Sequence, residues 1–299
     1  MIGIPGPKST VTLAAMALLL LASPRGTPAL AGEDPGGAVG KAGCGVETAC
    51  RVAGGEYRIR FPRNWDGTTP VPAIVFLHGW RGSAEAEMRN AAWATLSDRL
   101  GVAFVAPQGE GGTWSFPGSP SAHRDEFRWF DALVADMTDR FPLRADRLMV
   151  AGFSMGGSMV WSLACRRGEL FAGFAPVAGA FWDPIPEDCP SPAPVLLHVH
   201  GRTDRTVPLE GRSIGDGWRQ SDVGESLAVF QRSMGVVEAF PDRTPGKGFT
   251  CQSQESPKPG DPALLRMCLH DGGHSVRAEW IADAFETLAE RRGWQFGER

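Results

Sequence analysis

The sequence lacks a basic excess: 30 Lys and Arg face 34 Asp and Glu, a formal net charge of −4. With no basic stripe to neutralise phosphates, a dedicated nucleic-acid binder is excluded. No C-x-x-C pair or His–Cys cluster shows zinc spacing, so no metal and no cofactor is expected. The apolar stretch Val11 to Ala22 is too short to span a bilayer comfortably. Leu30-Ala31-Gly32 resembles the start of a lipoprotein signal, but Glu33 stands where the acylated cysteine belongs, which removes a lipid anchor. There is no internal repeat. At 42% hydrophobic and 21% charged residues, a mainly disordered or fibrous chain is excluded as well.

What is present begins with an export signal. Lys8 supplies a positive start, the apolar stretch follows, and Ala29-Leu30-Ala31 fits a small-x-small cleavage site, so residues 1–31 are expected to be removed. Residues 32–50, rich in Gly, Ala and Pro at their start, read as a partly disordered linker, and 51–299 as one domain. All six cysteines follow the leader, as expected of a secreted or periplasmic chain with disulfides and no stable membrane anchor. Six cysteines allow 15 connectivities. Local proximity favours Cys44–Cys50, Cys165–Cys189 and Cys251–Cys268.

Short continuous apolar runs recur at 73–77, 102–106, 147–151, 195–199 and 264–269, the pattern of strands buried on both faces. Helical patterns fall between them. Phe127, Phe130, Val134, Met137 and Phe141 share one face, and 276–291 (Val276, Trp280, Phe285, Leu288) closes the chain. Residues 108–124 have neither period and read as a long loop. Alternating strands and helices predict an α/β fold with a mostly parallel twisted sheet and helices on both faces.

Gly152-Phe153-Ser154-Met155-Gly156 matches G-x-S-x-G, but so does Gly211-Arg212-Ser213-Ile214-Gly215. Context separates them. Ser154 lies between the strand RLMVAGF and a small-residue helix start, so a sharp turn would lift its hydroxyl clear of the sheet. Ser213 follows no such strand and reads as an ordinary turn residue. A Ser hydroxyl needs a base, usually a His held by a carboxylate. His274, in Asp271-Gly272-Gly273-His274-Ser275 after the last strand, suits that part better than His270, which belongs to the strand pattern. Asp204, just past the strand VLLHVH, is the orienting acid, with Glu210, Asp183 and Asp271 as weaker substitutes. Two backbone N–H donors are expected for an oxyanion, from Met155 and from Trp80 in Leu77-His78-Gly79-Trp80. His78 itself reads as a core or supporting histidine.

Leu77-His78-Gly79, Gly152-Phe153-Ser154-Met155-Gly156-Gly157, His200-Gly201-Arg202-Thr203-Asp204 with Val207-Pro208, and Gly272-Gly273-His274-Ser275 together resemble the secreted polyhydroxybutyrate depolymerase and feruloyl/acetyl-xylan esterase group of α/β-hydrolases. The resemblance runs from about Tyr57 to the C-terminal helix. It implies a Ser154–Asp204–His274 triad, metal-free ester hydrolysis through an acyl-enzyme, and a disulfide matching Cys165–Cys189. The substrates it implies are hydroxyalkanoate oligomers or feruloyl and acetyl esters of plant polysaccharide. The chain departs from the group after His274, where relatives often read W-P-G and this sequence has Val276-Arg277. Trp80, Trp114, Phe116 and Trp182 are expected on loops near the active edge, as a platform for an acyl group, sugar or polymer chain.

Two rival readings stand beside this one. His198 and His200 would share one face of a strand near Asp204, a partial metal site for a metal-dependent hydrolase. Alternatively, a hydrolase scaffold could serve only to bind carbohydrate or polymer.

Overall fold

A computed structural model describes residues 43–238, 240 and 247–294. The expected export signal and the first part of the linker lie outside the described residues. Folded structure begins earlier than residue 51: Cys44 and Cys50 are buried and bonded to each other, and the first strand opens at Cys50.

The strands are β1 (Cys50–Val52), β2 (Gly55–Arg60), β3 (Val71–Leu77), β4 (Ala103–Pro107), β5 (Leu143–Phe153), β6 (Gly173–Val177), β7 (Val195–Gly201), β8 (Arg212–Ile214), β9 (Trp218–Gln220), β10 (Thr250–Glu255) and β11 (Leu264–His270). The helices are α1 (Ala84–Arg89), α2 (Ala91–Leu100), α3 (Glu126–Arg140), α4 (Met155–Arg166), α5 (Val223–Met234) and α6 (Ala278–Arg291). Nine strands form one sheet in the order β1-β2-β4-β3-β5-β6-β7-β11-β10. The six central strands, β4 through β11, run parallel, and antiparallel strands close both edges. This is the α/β-hydrolase architecture. β8 and β9 make a separate hairpin.

Alternation along each central strand divides the interior into two cores. Ala73, Val75 and Leu77 face one side with Leu148 and Val150, under α3, α4 and α5. Ile74 and Phe76 face the other with Met149 and Ala151, under α1, α2 and α6. Helix ends are set locally: Ser83, Asn90, Asp125 and Asp222 cap N-termini through their side chains, and Gly101 and Gly235 take the left-handed conformation at C-termini.

Periodicity found α3 and the side it turns to the core, where Phe130, Met137 and Phe141 are buried, but it left out Trp129 and Leu133. Trp129, Phe130, Leu133 and Met137 are buried, while Phe127 and Val134 lie half-buried on the flank. In α6 the inward residues are Ile281, Phe285 and Leu288, and Trp280 is half-buried. All three disulfides favoured by proximity are formed, and the described residues include no free cysteine. None of the described helices is long and apolar enough to cross a membrane.

Parallel strands bring their C-terminal ends to one edge. β3 delivers the 78–82 loop there, β5 delivers Ser154, β7 delivers Asp204 and β11 delivers His274.

Candidate active site

Ser154 forms the corner between β5 and α4, with φ 58° and ψ −118°, a region that L-residues rarely occupy. Its neighbours are glycines for a steric reason. A Cβ on Gly156 would drive into the carbonyl oxygens of Leu77 and His78, and one on Gly152 would lie 2.5 Å from Gly156 O. One on Gly157 would lie 2.6 Å from Val177 O. The backbones of three adjacent strands therefore close around the turn, and the Ser154 N–H donates to Val177 O at 2.9 Å.

The structure brings the three separated residues together. His274 Nδ1 donates to Asp204 Oδ2 at 2.7 Å, and Ser154 Oγ donates to His274 Nε2 at 2.8 Å. Asp204 is buried, and its second oxygen, Oδ1, accepts the N–H groups of Thr206 and Val207 at 2.8 and 2.9 Å. Burial pushes this carboxyl up, but the bonds from His274 and Val207 and the neighbouring imidazoles outweigh it and hold it below the ordinary carboxylate range. An ionised Asp204 leaves the Nδ1–H tautomer as the one that fits, so Nε2 is free to take a proton from Ser154. The imidazole also packs on Phe153, with ring centroids 4.6 Å apart.

The two loops that carry Asp204 and His274 are tied directly, which sequence reasoning missed. Arg202 donates from one terminal nitrogen to Asp271 Oδ1 at 3.1 Å and to Gly248 O at 2.7 Å, and from the other to Thr250 Oγ1 at 2.5 Å. Its backbone N–H donates to His270 O. A Cβ on Gly201 would strike the carbonyls of Gly272 and Gly273, so the two loops touch along their backbones. The only sequence signal was Arg202 lying between His200 and Asp204.

The loop expected to supply the second oxyanion donor packs beside Ser154. The Cβ position of Gly79 lies 3.6 Å from Ser154 Cβ. Among the described residues, neither the Trp80 N–H nor the Met155 N–H is taken up by a hydrogen bond. His78 is fully buried and braces this loop. Its Nδ1 donates to Gly79 O at 2.8 Å, its Nε2 accepts the Gly109 N–H at 3.0 Å, and its carbonyl accepts Trp114 Nε1–H at 2.8 Å. Arg81 N–H donates to Gly112 O at 2.7 Å. The 108–124 loop, which carries Trp114 and Phe116 of the expected platform, thus buttresses the 78–82 turn.

That role corrects most of the aromatic platform. Trp114 is fully buried, and its indole N–H is spent on His78, so it has no surface for a ligand. Phe116 and Trp182 are buried too, edge to face at 6.2 Å, with Trp182 Nε1 donating to Ser158 Oγ. Only Trp80 is open, at 67% exposure, with the Arg81 guanidinium 4.9 Å from its ring centroid. Ser213 lies exposed on β8 of the small hairpin rather than in a turn, with no helix behind it. His270 is packed against Trp280, as a strand residue should be.

His198 and His200 do share a strand face, yet they do not form a metal pocket. Their facing nitrogens are 2.9 Å apart, and their outer nitrogens sit on the carbonyls of Pro176 and Val207. A metal held at about 2.0–2.1 Å by both rings would need those facing nitrogens to part and turn toward a common point.

Burial holds His78, His198, His200 and His270 below the usual histidine value of 6.5. A group whose folded value is depressed stabilises the fold fully above its unfolded value, and that contribution fades as pH falls. The expected result is a melting temperature that drops by about 5–10 °C between pH 7 and pH 4.5. Differential scanning calorimetry across that range checks it.

A family model described as "Putative esterase" matches residues 54–243. The chain belongs to this esterase family. It is 30% identical over 223 residues to "Putative esterase NocK" of Nocardia uniformis subsp. tsuyamanensis, covering 68% of this chain and 65% of that one. The chain thus spans just under two thirds of that relative's length. It is 27% identical over 279 residues to feruloyl esterase C of Emericella nidulans, covering 85% of this chain and 89% of that one. Among solved structures, acetyl xylan esterase from Aspergillus awamori aligns with a TM-score of 0.55 at 16% identity, over 81% of this chain and 95% of that one. Native pOPH aligns with a TM-score of 0.54 at 18% identity, over 89% and 94%. Both structural likenesses carry the fold, which agrees with the sheet order described above.

Proposed function

We propose that the chain is an exported serine esterase that hydrolyses carboxylic esters through an acyl-enzyme on Ser154. The observation that carries this reading is the unbroken line of hydrogen bonds from Ser154 through His274 to a buried, ionised Asp204. His274 Nε2 takes the Ser154 proton as Oγ bonds to the ester carbon, and Asp204 stabilises the imidazolium that results. The N–H groups of Met155 and Trp80 receive the oxyanion, helped by the N-terminus of α4 beneath it. Collapse of the tetrahedral intermediate breaks the bond to the alcohol, which leaves with the proton from His274. Water then repeats the sequence, and the acid departs. Three disulfides support an oxidising compartment and so the export reading.

For substrate, we favour acyl esters of a plant polysaccharide, feruloyl esters first. The similarity to a feruloyl esterase supports this, and so does Trp80, an open aromatic face one residue from the Gly79 turn that packs on Ser154. Steady-state kinetics on methyl ferulate, p-nitrophenyl acetate and hydroxybutyrate oligomers test the reading. Trp80→Ala is expected to raise KM for methyl ferulate about 5–20-fold, the worth of one aromatic contact, and to leave acetate turnover within about twofold. Hydroxybutyrate oligomers turned over far faster than methyl ferulate would move the substrate class to polyester.

A further inference from the structure

Two neighbouring histidines on β7 lie outside the line that ends at Ser154. His198 and His200 are two residues apart on β7, so both rings point to one face, and both are fully buried. His198 Nδ1 faces Pro176 O at 3.0 Å, His198 Nε2 faces His200 Nδ1 at 2.9 Å, and His200 Nε2 faces Val207 O at 2.7 Å. Each contact is a hydrogen bond only if one proton lies in it. Two neutral imidazoles carry two protons for these three contacts.

Charge does not supply the third at neutral pH. Burial pushes His198 well down and His200 down to about 4. The charged or titratable groups that face the pair are Asp204, with Oδ2 3.7 Å from His200 Nε2, and His274 and His270; Trp161 covers His198 edge-on. One of the three contacts therefore holds no proton. The contact to Val207 is the shortest, and this carbonyl lies in a turn with no other donor among the described residues, whereas Pro176 lies within β6. The proton accordingly belongs on His200 Nε2, and His198 donates from Nε2 to His200 Nδ1. Val207 is also the residue whose N–H grips Asp204 Oδ1.

We propose that His198 and His200 are a positioning pair for Asp204: His198 fixes the tautomer of His200, and His200 pins Val207 so that its turn holds the carboxylate. This rests on the triad reading above. The test uses the full, disulfide-bonded enzyme. In ¹⁵N spectra of histidine-labelled protein, His200 is expected to carry its proton on Nε2, and neither ring should titrate between pH 8 and 5.5. His200→Leu is expected to lower kcat on p-nitrophenyl acetate about 10–100-fold with KM within about twofold, because the acid is misplaced rather than the ester. The acid limb of its kcat/KM profile should also move at least half a pH unit lower, since a loosened Asp204 supports imidazolium less well. His200→Gln, whose amide N–H can reach Val207, should recover most of both.

An His200→Leu enzyme with wild-type kcat and acid limb overturns the inference. So does an His200→Gln enzyme as slow as the Leu variant, or either wild-type ring titrating near its ordinary range. If His200→Leu does not fold, the wild-type ring spectrum decides. Ser154→Ala separates the two levels: full turnover in that variant removes the triad itself, whereas a dead Ser154→Ala beside an unaffected His200→Leu removes only the positioning pair.

Discussion

Replacing Ser154 with alanine is expected to lower kcat on p-nitrophenyl acetate by about 10⁵–10⁶-fold while KM changes little. The hydroxyl is the only atom group lost, and no neighbouring side chain can replace its bond to the carbonyl carbon. The ester still meets the same loop and the same N–H groups, so binding persists and a residual rate above that of water remains. The variant should fold normally, because Ser154 makes its structural bonds through the backbone: its N–H to Val177 and its carbonyl to the Ser158 N–H. Alanine at φ 58° keeps a strain that serine already bears. Turnover at the wild-type rate would leave a scaffold that binds without this chemistry.

Asp204→Asn is expected to cost about 10⁴ in kcat near neutral pH. Shape barely changes, but the acceptor at 2.7 Å from His274 Nδ1 can become a donor. An amide N–H at that point drives the proton of the ring to Nε2, which then offers Ser154 no lone pair. The two backbone N–H groups on the other oxygen favour the amide oriented that way, oxygen toward Thr206 and Val207. The loss should therefore exceed that of a weakened hydrogen bond, about tenfold for 1.4 kcal/mol. Combined with Ser154→Ala, Asp204→Asn should add almost nothing further, since residues that act as one unit are not additive. Rates of both single variants and the double variant check this directly.

The sequence was informative where one residue type answers one physical demand. Ser154 could be told from Ser213 because only the first had a strand before it and small residues after it, and the close backbone contacts at Gly152, Gly156 and Gly157 explain that composition. Continuous apolar runs located β3, β4, β5, β7 and β11 because strands buried on both faces need no alternation. β6 escaped notice: Gly173-Phe174-Ala175-Pro176-Val177 carries strand-breaking residues, and it is a strand because β5 and β7 pair on either side. The helices α1 and α2 are short and depend on caps and on packing over β4 more than on a long apolar stripe.

Loop aromatics misled for a different reason. An apolar ring in a loop reads the same whether it faces a ligand or fills the loop's own interior. Trp114, Phe116 and Trp182 do the second, each with its neighbours supplied by distant segments, and Trp80 alone stays open. Arg202 and Asp271 form a tie that no spacing rule could expose, because they sit 69 residues apart and meet only when β7 and β11 lie side by side. His198 and His200 looked like ligands because their spacing is right for one face. Their nitrogens turn out to be directed at each other and at two carbonyls.

The most direct measurement is covalent trapping with a serine-directed fluorophosphonate, read by intact mass and peptide mapping. The Ser154–His274 geometry predicts one adduct per chain, on Ser154, formed in step with loss of esterase activity and slowed at least about 10³-fold in His274→Ala. An adduct on any other serine, or an enzyme that hydrolyses esters at full rate after labelling fails, contradicts it.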